Sequence, residues 1–134
     1  MLKTVDRILA GILGLGAAAG HTYGSLAAYA NQPITLLWAL NASVLGALLA
    51  VLHFIRSFRP GDRALGWVLI APTLFWFGSS LEFGMLIGHP ADPRVLAFAV
   101  ASLGLTIFSL ATALAAQRRP SDQNGRQIAS FEPD

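Results

Sequence analysis

Four polar side chains interrupt four otherwise apolar stretches of the sequence, one in each stretch: His21, Asn41, Glu82 and Ser102. Counted from the ends of the stretches that face one common side, they lie about seven to nine residues deep, or roughly 10 to 14 Å in a helix. All four therefore fall within about one helical turn of each other in depth. This spacing predicts a single polar layer, in which Ser79 would take part.

Glu82 carries the clearest chemistry in this layer. An ionised carboxylate that faced lipid would be costly, so we expect Glu82 to face the interior and to be protonated or paired with His21. Met85 and His89 follow on about the same helical face and would extend the site toward water. Such a face suits a proton path, a cation or a small polar ligand. The alternative is that these residues only hold helices together, at about 0.6 kcal/mol for each pair.

The sequence offers little else for catalysis or for binding a cofactor. The absence of cysteine excludes disulfides, thiolate metal sites and thiol nucleophiles. His21, His53 and His89 lie at different depths, which disfavours haem ligation by two histidines. We predict no catalytic residue, no metal site and no required cofactor. A quinone, a lipid or a metal ion held near Glu82 is the alternative, because imidazole and carboxylate are suitable metal ligands.

The elements that position these residues are predicted to be membrane-spanning helices. Only 12% of the residues are charged and 54% are hydrophobic, whereas a soluble domain has about a quarter of its residues charged. The apolar stretches are long enough to cross a hydrocarbon core of roughly 30 Å as helices. They cover residues 7–29, 34–55, 63–88 and 94–116.

The ends of the predicted helices carry local signals. Asp62 and the pair Asp92-Pro93 are placed to begin the third and fourth helices, and Gly88 is placed to end the third in a left-handed conformation. Basic residues precede the first apolar stretch, which we interpret as an uncleaved first span rather than a signal peptide. Residues 1–116 would form one domain, and residues 117–134 a polar, flexible tail.

The basic residues predict the orientation of the chain. Arg94 alone lies on one side of the predicted spans. On the other side are the eight remaining ones: Lys3, Arg7, Arg56, Arg59, Arg63, Arg118, Arg119 and Arg126. The positive-inside rule then places both termini in the cytoplasm. Because short connections make sequential helices antiparallel, we expect an all-α, four-helix up-down-up-down bundle, typical of a bacterial inner membrane.

A glycine stripe on the first helix is the clearest packing motif. Gly16, Gly20 and Gly24 recur at intervals of four residues, which places them on one face of an α-helix and lets another helix approach closely. That helix could belong to this chain, which is the more common case, or to another subunit.

These observations favour a small, non-enzymatic membrane protein that packs as an accessory or structural subunit against a larger complex. The alternative functions are a proton- or ion-coupled small transporter or channel that uses Glu82 and His21, and a membrane-embedded quinone, metal or ligand binder. Partners would be the lipid bilayer and other membrane subunits, or a second copy joined through the glycine stripe. Nucleic-acid binding is excluded because the basic residues are scattered at membrane boundaries.

The orientation is tested by reporter fusions. Fusions after Gln32 and after Asp92 should report the outside, and a fusion after Asp62 should report the cytoplasm, because the basic residues are retained there. A fused alkaline phosphatase is active at the outside positions, and a fused green fluorescent protein is fluorescent at the inside positions. An external signal after Asp62 would contradict the topology.

Overall fold

The computed structural model describes residues 2–115, and within this range it contains four helices and no strand. The first helix runs through α1 (Leu2–Leu15), a π-helical segment (Gly16–His21) and α2 (Thr22–Tyr29). Its junction residues, Leu15 and Thr22, keep α-helical dihedral angles, so the helix is continuous. The others are α3 (Pro33–Phe58), α4 (Arg63–Leu86) and α5 (Pro93–Ala115). The predicted tail, residues 117–134, lies outside the described residues.

Three of these helices, α3, α4 and α5, are long and apolar enough to cross a membrane. The first helix is divided by its π segment into shorter pieces. Large apolar side chains cover much of the outer surface, and several are almost fully accessible, such as Phe75 at 74% and Leu86 at 78%. A surface of this kind is costly in water and favourable in hydrocarbon.

The predicted capping interactions at the helix ends are confirmed. Asp62 accepts a hydrogen bond from the Leu65 backbone N–H at 3.0 Å, and Asp92 accepts one from that of Arg94 at 2.8 Å. The Arg94 side chain also binds Asp92, and these hydrogen bonds lower the pKa of the Asp92 carboxyl to about 2. Gly88 has a φ of +70°, as expected.

The ends of α3 and α4 differ from the prediction. The helix α3 continues three residues beyond residue 55, to Phe58, because its last turn is held by other helices rather than by water. The helix α4 ends at Leu86 instead of residue 88. Its last turn is closed by hydrogen bonds from Ile87 and Gly88, so the left-handed glycine lies just outside the helix.

The core joins the four helices through one leucine from each. The helix α1 packs against α3 and α5, and α4 packs against the same two helices. Leu13, Leu49, Leu69 and Leu105 meet at the centre, together with the small side chains of Ala10 and Ala50, and all are buried. We call these residues the leucine layer.

The backbones of α4 and α5 approach each other closely at Gly66. A Cβ atom at this position would lie 2.8 Å from the backbone nitrogen of Ala113 and 3.0 Å from the carbonyl oxygen of Ser109. Neither backbone atom can move without shifting α5. Glycine is therefore required for this backbone contact, which is how membrane helices gain van der Waals energy.

Gly66→Ala should lower the free energy of unfolding by about 1–3 kcal/mol, the usual cost of overpacking a rigid contact. Gly78→Ala is the matched control, because Gly78 lies in the same helix and a Cβ there meets nothing within 4 Å. Thermal or denaturant unfolding in detergent would measure both. Equal stability of the two variants would show that α4 and α5 are not in backbone contact.

Candidate functional site

A buried ion pair and its hydrogen bonds join all four helices near the beginning of α1. Arg56, at 2% exposure, pairs through Nη2 with Oδ1 of Asp6. Its Nη1 donates to Oγ1 of Thr112 at 3.1 Å, and its Nε donates to Nδ1 of His53 at 3.4 Å. The other ring nitrogen of His53, Nε2, lies 2.8 Å from Oγ1 of Thr73. We call these five residues the Arg56 cluster.

The hydrogen bonds define the protonation of His53. Its Nδ1 accepts from Arg56, so Nε2 carries the proton and donates to Thr73, whose hydroxyl donates to the Leu69 carbonyl. The ring is therefore neutral. Within the described residues, one cation and one anion balance in the cluster, and each nitrogen of the Arg56 guanidinium has an acceptor. This arrangement suits a structural tie between helices.

The Arg56 cluster departs from the sequence interpretation at two residues. Arg56 was expected in the loop after the second span, but α3 continues through it and buries its side chain. Asp6 was not predicted to take part. Two signals point to the cluster: Asp6 is the single acidic residue before Asp62, and His53 and Arg56 are three residues apart, on one helical face.

A second polar cluster lies where the π segment ends, and we call its residues, His21, Ser25 and Ser43, the His21 cluster. Nδ1 of His21 is 2.8 Å from Oγ of Ser43 on α3 and 3.4 Å from Oγ of Ser25 on α2. The ring is half-buried, whereas both serines are buried. π-helical turns often occur at functional sites. Here the turn directs His21 toward α3 and not toward α4, where Glu82 lies.

The structure divides the predicted polar layer between the interior and the outer surface. Ser102 is buried and donates to the Phe98 carbonyl at 2.6 Å, and Ser79 is half-buried. Asn41 and Glu82 are exposed. Within residues 2–115 no hydrogen bond or ion pair joins Glu82 to His21, so the layer is not one connected site.

The expected interior position of Glu82 is wrong. The buried side of α4 carries Leu69, Thr73 and Gly84. Thr73 and Glu82 are nine residues apart, about two and a half turns, so they point in opposite directions. Glu82 also lies only four residues before the end of α4, roughly 6 Å along the axis. Met85 and His89 are exposed as well, and His89 lies beyond the helix.

The glycine stripe is divided in the same way. A Cβ at Gly16 would lie 2.6 Å from Cζ of Phe98, so Gly16 packs against α5. Gly20 and Gly24 are exposed, with nothing within 4 Å of an added Cβ. The π segment explains the difference, because its hydrogen bonds span five residues instead of four and rotate the following positions away from a common face.

Within the described residues, no hydrogen bond joins the His21 cluster to the Arg56 cluster. Hydroxyl groups on the buried side of α5 lie along the interior, but Ser102, Thr106 and Thr112 donate to carbonyls of α5 itself. Ser109 is buried, and its Oγ has no partner within the described residues. Among residues 2–115, no group of three or more His, Asp or Glu side chains could hold a metal ion.

No protein-family model, curated protein or solved structure matches the chain. The class of protein is therefore inferred from the fold and its surface. Three spanning-length apolar helices in an all-helical chain are compatible with a small membrane protein.

Arg56→Gln should lower the free energy of unfolding by about 3–5 kcal/mol, because it leaves the Asp6 carboxylate buried without its cation. The double variant Asp6→Asn/Arg56→Gln should recover part of this loss, since neutral amides replace the charges. Unfolding in detergent of the wild type, both single variants and the double variant measures the coupling. Arg94→Gln is the control, because it breaks an exposed ion pair and should change stability little. Additive effects of the two single substitutions would contradict the buried pair.

Proposed function

We propose that this chain is a small, non-enzymatic membrane subunit that docks through its membrane-facing surface against a helix of a larger membrane complex. One observation carries the proposal. Apart from Ser109, the buried polar side chains of the described residues bind one another or the backbone, whereas Asn41 and Glu82 lie outside without a hydrogen-bond partner within those residues. Lipid cannot supply such partners, but another membrane helix can.

Glu82 lies at the centre of an outward surface of α4. Phe75, Gly78 and Leu86 share its side of the helix and are exposed, and we call these four residues the α4 outer face. A carboxylate on such a surface is stabilised by a cation or a hydrogen-bond donor at the same depth. The partner helix is therefore expected to present an arginine, lysine, histidine or hydroxyl group to Glu82.

Asn41 adds a second polar contact on the neighbouring helix α3. It lies eight residues after Pro33, roughly 12 Å along the axis, which places its amide in the hydrocarbon region. An amide has two donors and an acceptor to satisfy. In membrane helices such groups favour association with another helix.

Two exposed glycines would let a partner backbone approach. Gly78 precedes Glu82 by one turn, and Gly20 lies on the first helix. A Cβ at either position meets nothing within 4 Å, so neither glycine is required for packing within the chain. This is the arrangement expected of small residues that serve an external contact.

The proposal includes four antiparallel spans with both termini in the cytoplasm, as in a bacterial inner-membrane protein. The Arg56 cluster supports this topology, since it joins the beginning of α1 to the last turns of α3 and α5.

A photo-crosslinking amino acid at Phe75, on the α4 outer face, should capture one membrane protein of defined mass in intact membranes. The matched control is Ile107, which is 60% exposed but lies on α5. Partner capture at Phe75 alone supports the docking surface. Equal capture at both positions, or none at either, would contradict it, and a product of twice the chain's mass would identify a second copy.

Substitutions of Glu82 separate docking from transport. Glu82→Leu should release the partner during purification in mild detergent, whereas Glu82→Gln should retain most of it, because glutamine keeps hydrogen-bonding capacity. Gly20→Leu tests the first helix in the same assay. If Glu82→Gln instead keeps the assembly intact but abolishes a pH-dependent ion flux in proteoliposomes, Glu82 serves transport and the docking proposal fails.

A further inference from the structure

An apolar groove of about 530 Å³ runs between α1 and α3 on the membrane-facing surface. Its floor consists of small residues where the helices cross, and a Cβ at Gly14 would lie only 3.1 Å from that of Ala50. Its walls are formed by larger side chains of α3, including Val51, Phe54 and Phe58. We call this cavity the α1–α3 groove. It lies away from Glu82 and the α4 outer face.

The dimensions of the groove fit a hydrocarbon chain. It extends along α3 from Ala47 to Phe58, about 16 Å, which is about the thickness of one leaflet. An extended acyl chain of this length can therefore lie along the groove against its apolar side chains.

A fixed cation lies at one end of the groove. The guanidinium of Arg7 lies 4.1 Å from the ring centroid of Phe58, which lines that end. Its Nε donates to Oγ of Ser57 at 3.4 Å. These two contacts orient the side chain, and within residues 2–115 its two terminal nitrogens have no hydrogen-bond acceptor. They remain available for a bidentate contact with a phosphate.

We propose that the α1–α3 groove binds an anionic phospholipid, with one acyl chain along the groove and the phosphate on Arg7. Charge complementarity selects this occupant, because the apolar channel ends at the oriented guanidinium of Arg7. Basic sites at the cytoplasmic ends of membrane helices bind anionic head groups in this way. The site is independent of the docking surface proposed above.

Native mass spectrometry of the full chain in mild detergent tests the site. Phosphatidylglycerol and phosphatidylcholine with matched acyl chains are titrated separately, and the wild type should bind one phosphatidylglycerol in preference to phosphatidylcholine. Arg7→Gln should weaken phosphatidylglycerol binding about fivefold, the usual effect of one cation at an anionic surface, and leave phosphatidylcholine unchanged. Equal binding of the two lipids by the wild type would overturn the proposal without any variant.

Gly11→Leu tests the channel itself. Gly11 lines the groove and a Cβ there meets nothing within 4 Å, so the side chain of leucine begins in open space and extends into the channel. It should weaken binding of both lipids, whereas Gly24→Leu, on an open part of α2, should bind them as the wild type does. Unchanged lipid binding by Gly11→Leu would overturn the proposal. Loss of a co-purifying protein instead of lipid would assign the groove to a partner helix.

Discussion

The ion pair between Arg56 and Asp6 is the constraint on which the rest of the bundle depends. A guanidinium buried among apolar helices must find acceptors, and it finds them on α1, α3 and α5, while His53 extends the hydrogen bonds to α4. The Arg56 cluster therefore fixes the position of each helix along its neighbours, because the buried charges of Arg56 and Asp6 are costly to leave unpaired. The same requirement extends α3 past residue 55, because Arg56 and Ser57 must remain helical to reach their partners.

The π segment is a local deviation from α-helical geometry that changes which side chains the first helix presents to the outer surface. The π segment Gly16–His21 brings His21 to Ser43 and turns Gly20 away from the bundle, while Gly16 stays against Phe98. Its composition of glycine, alanine and a terminal histidine leaves room for the wider turn. The motif that looked like one continuous packing face is therefore divided into an internal contact and an open surface.

Apart from Ser109, the buried polar side chains of the described residues have hydrogen-bond partners, in the Arg56 cluster, in the His21 cluster or at backbone carbonyls. The outer surface presents Asn41 and Glu82. The α1–α3 groove and Arg7 lie on a different part of that surface. The proposed helix partner and the proposed lipid would therefore occupy separate parts of the outer surface.

The sequence by itself determined the helical class, three apolar helices of spanning length, the helix starts at Asp62 and Asp92 and the left-handed conformation of Gly88, because these depend on local composition and local hydrogen bonds. Depth along each helix could also be counted from the sequence. Which way a side chain points could not, because rotation about a helix axis is decided by contacts between helices. Only the tertiary structure turned Glu82 outward, buried Arg56 beside Asp6 and rotated Gly20 out of its stripe.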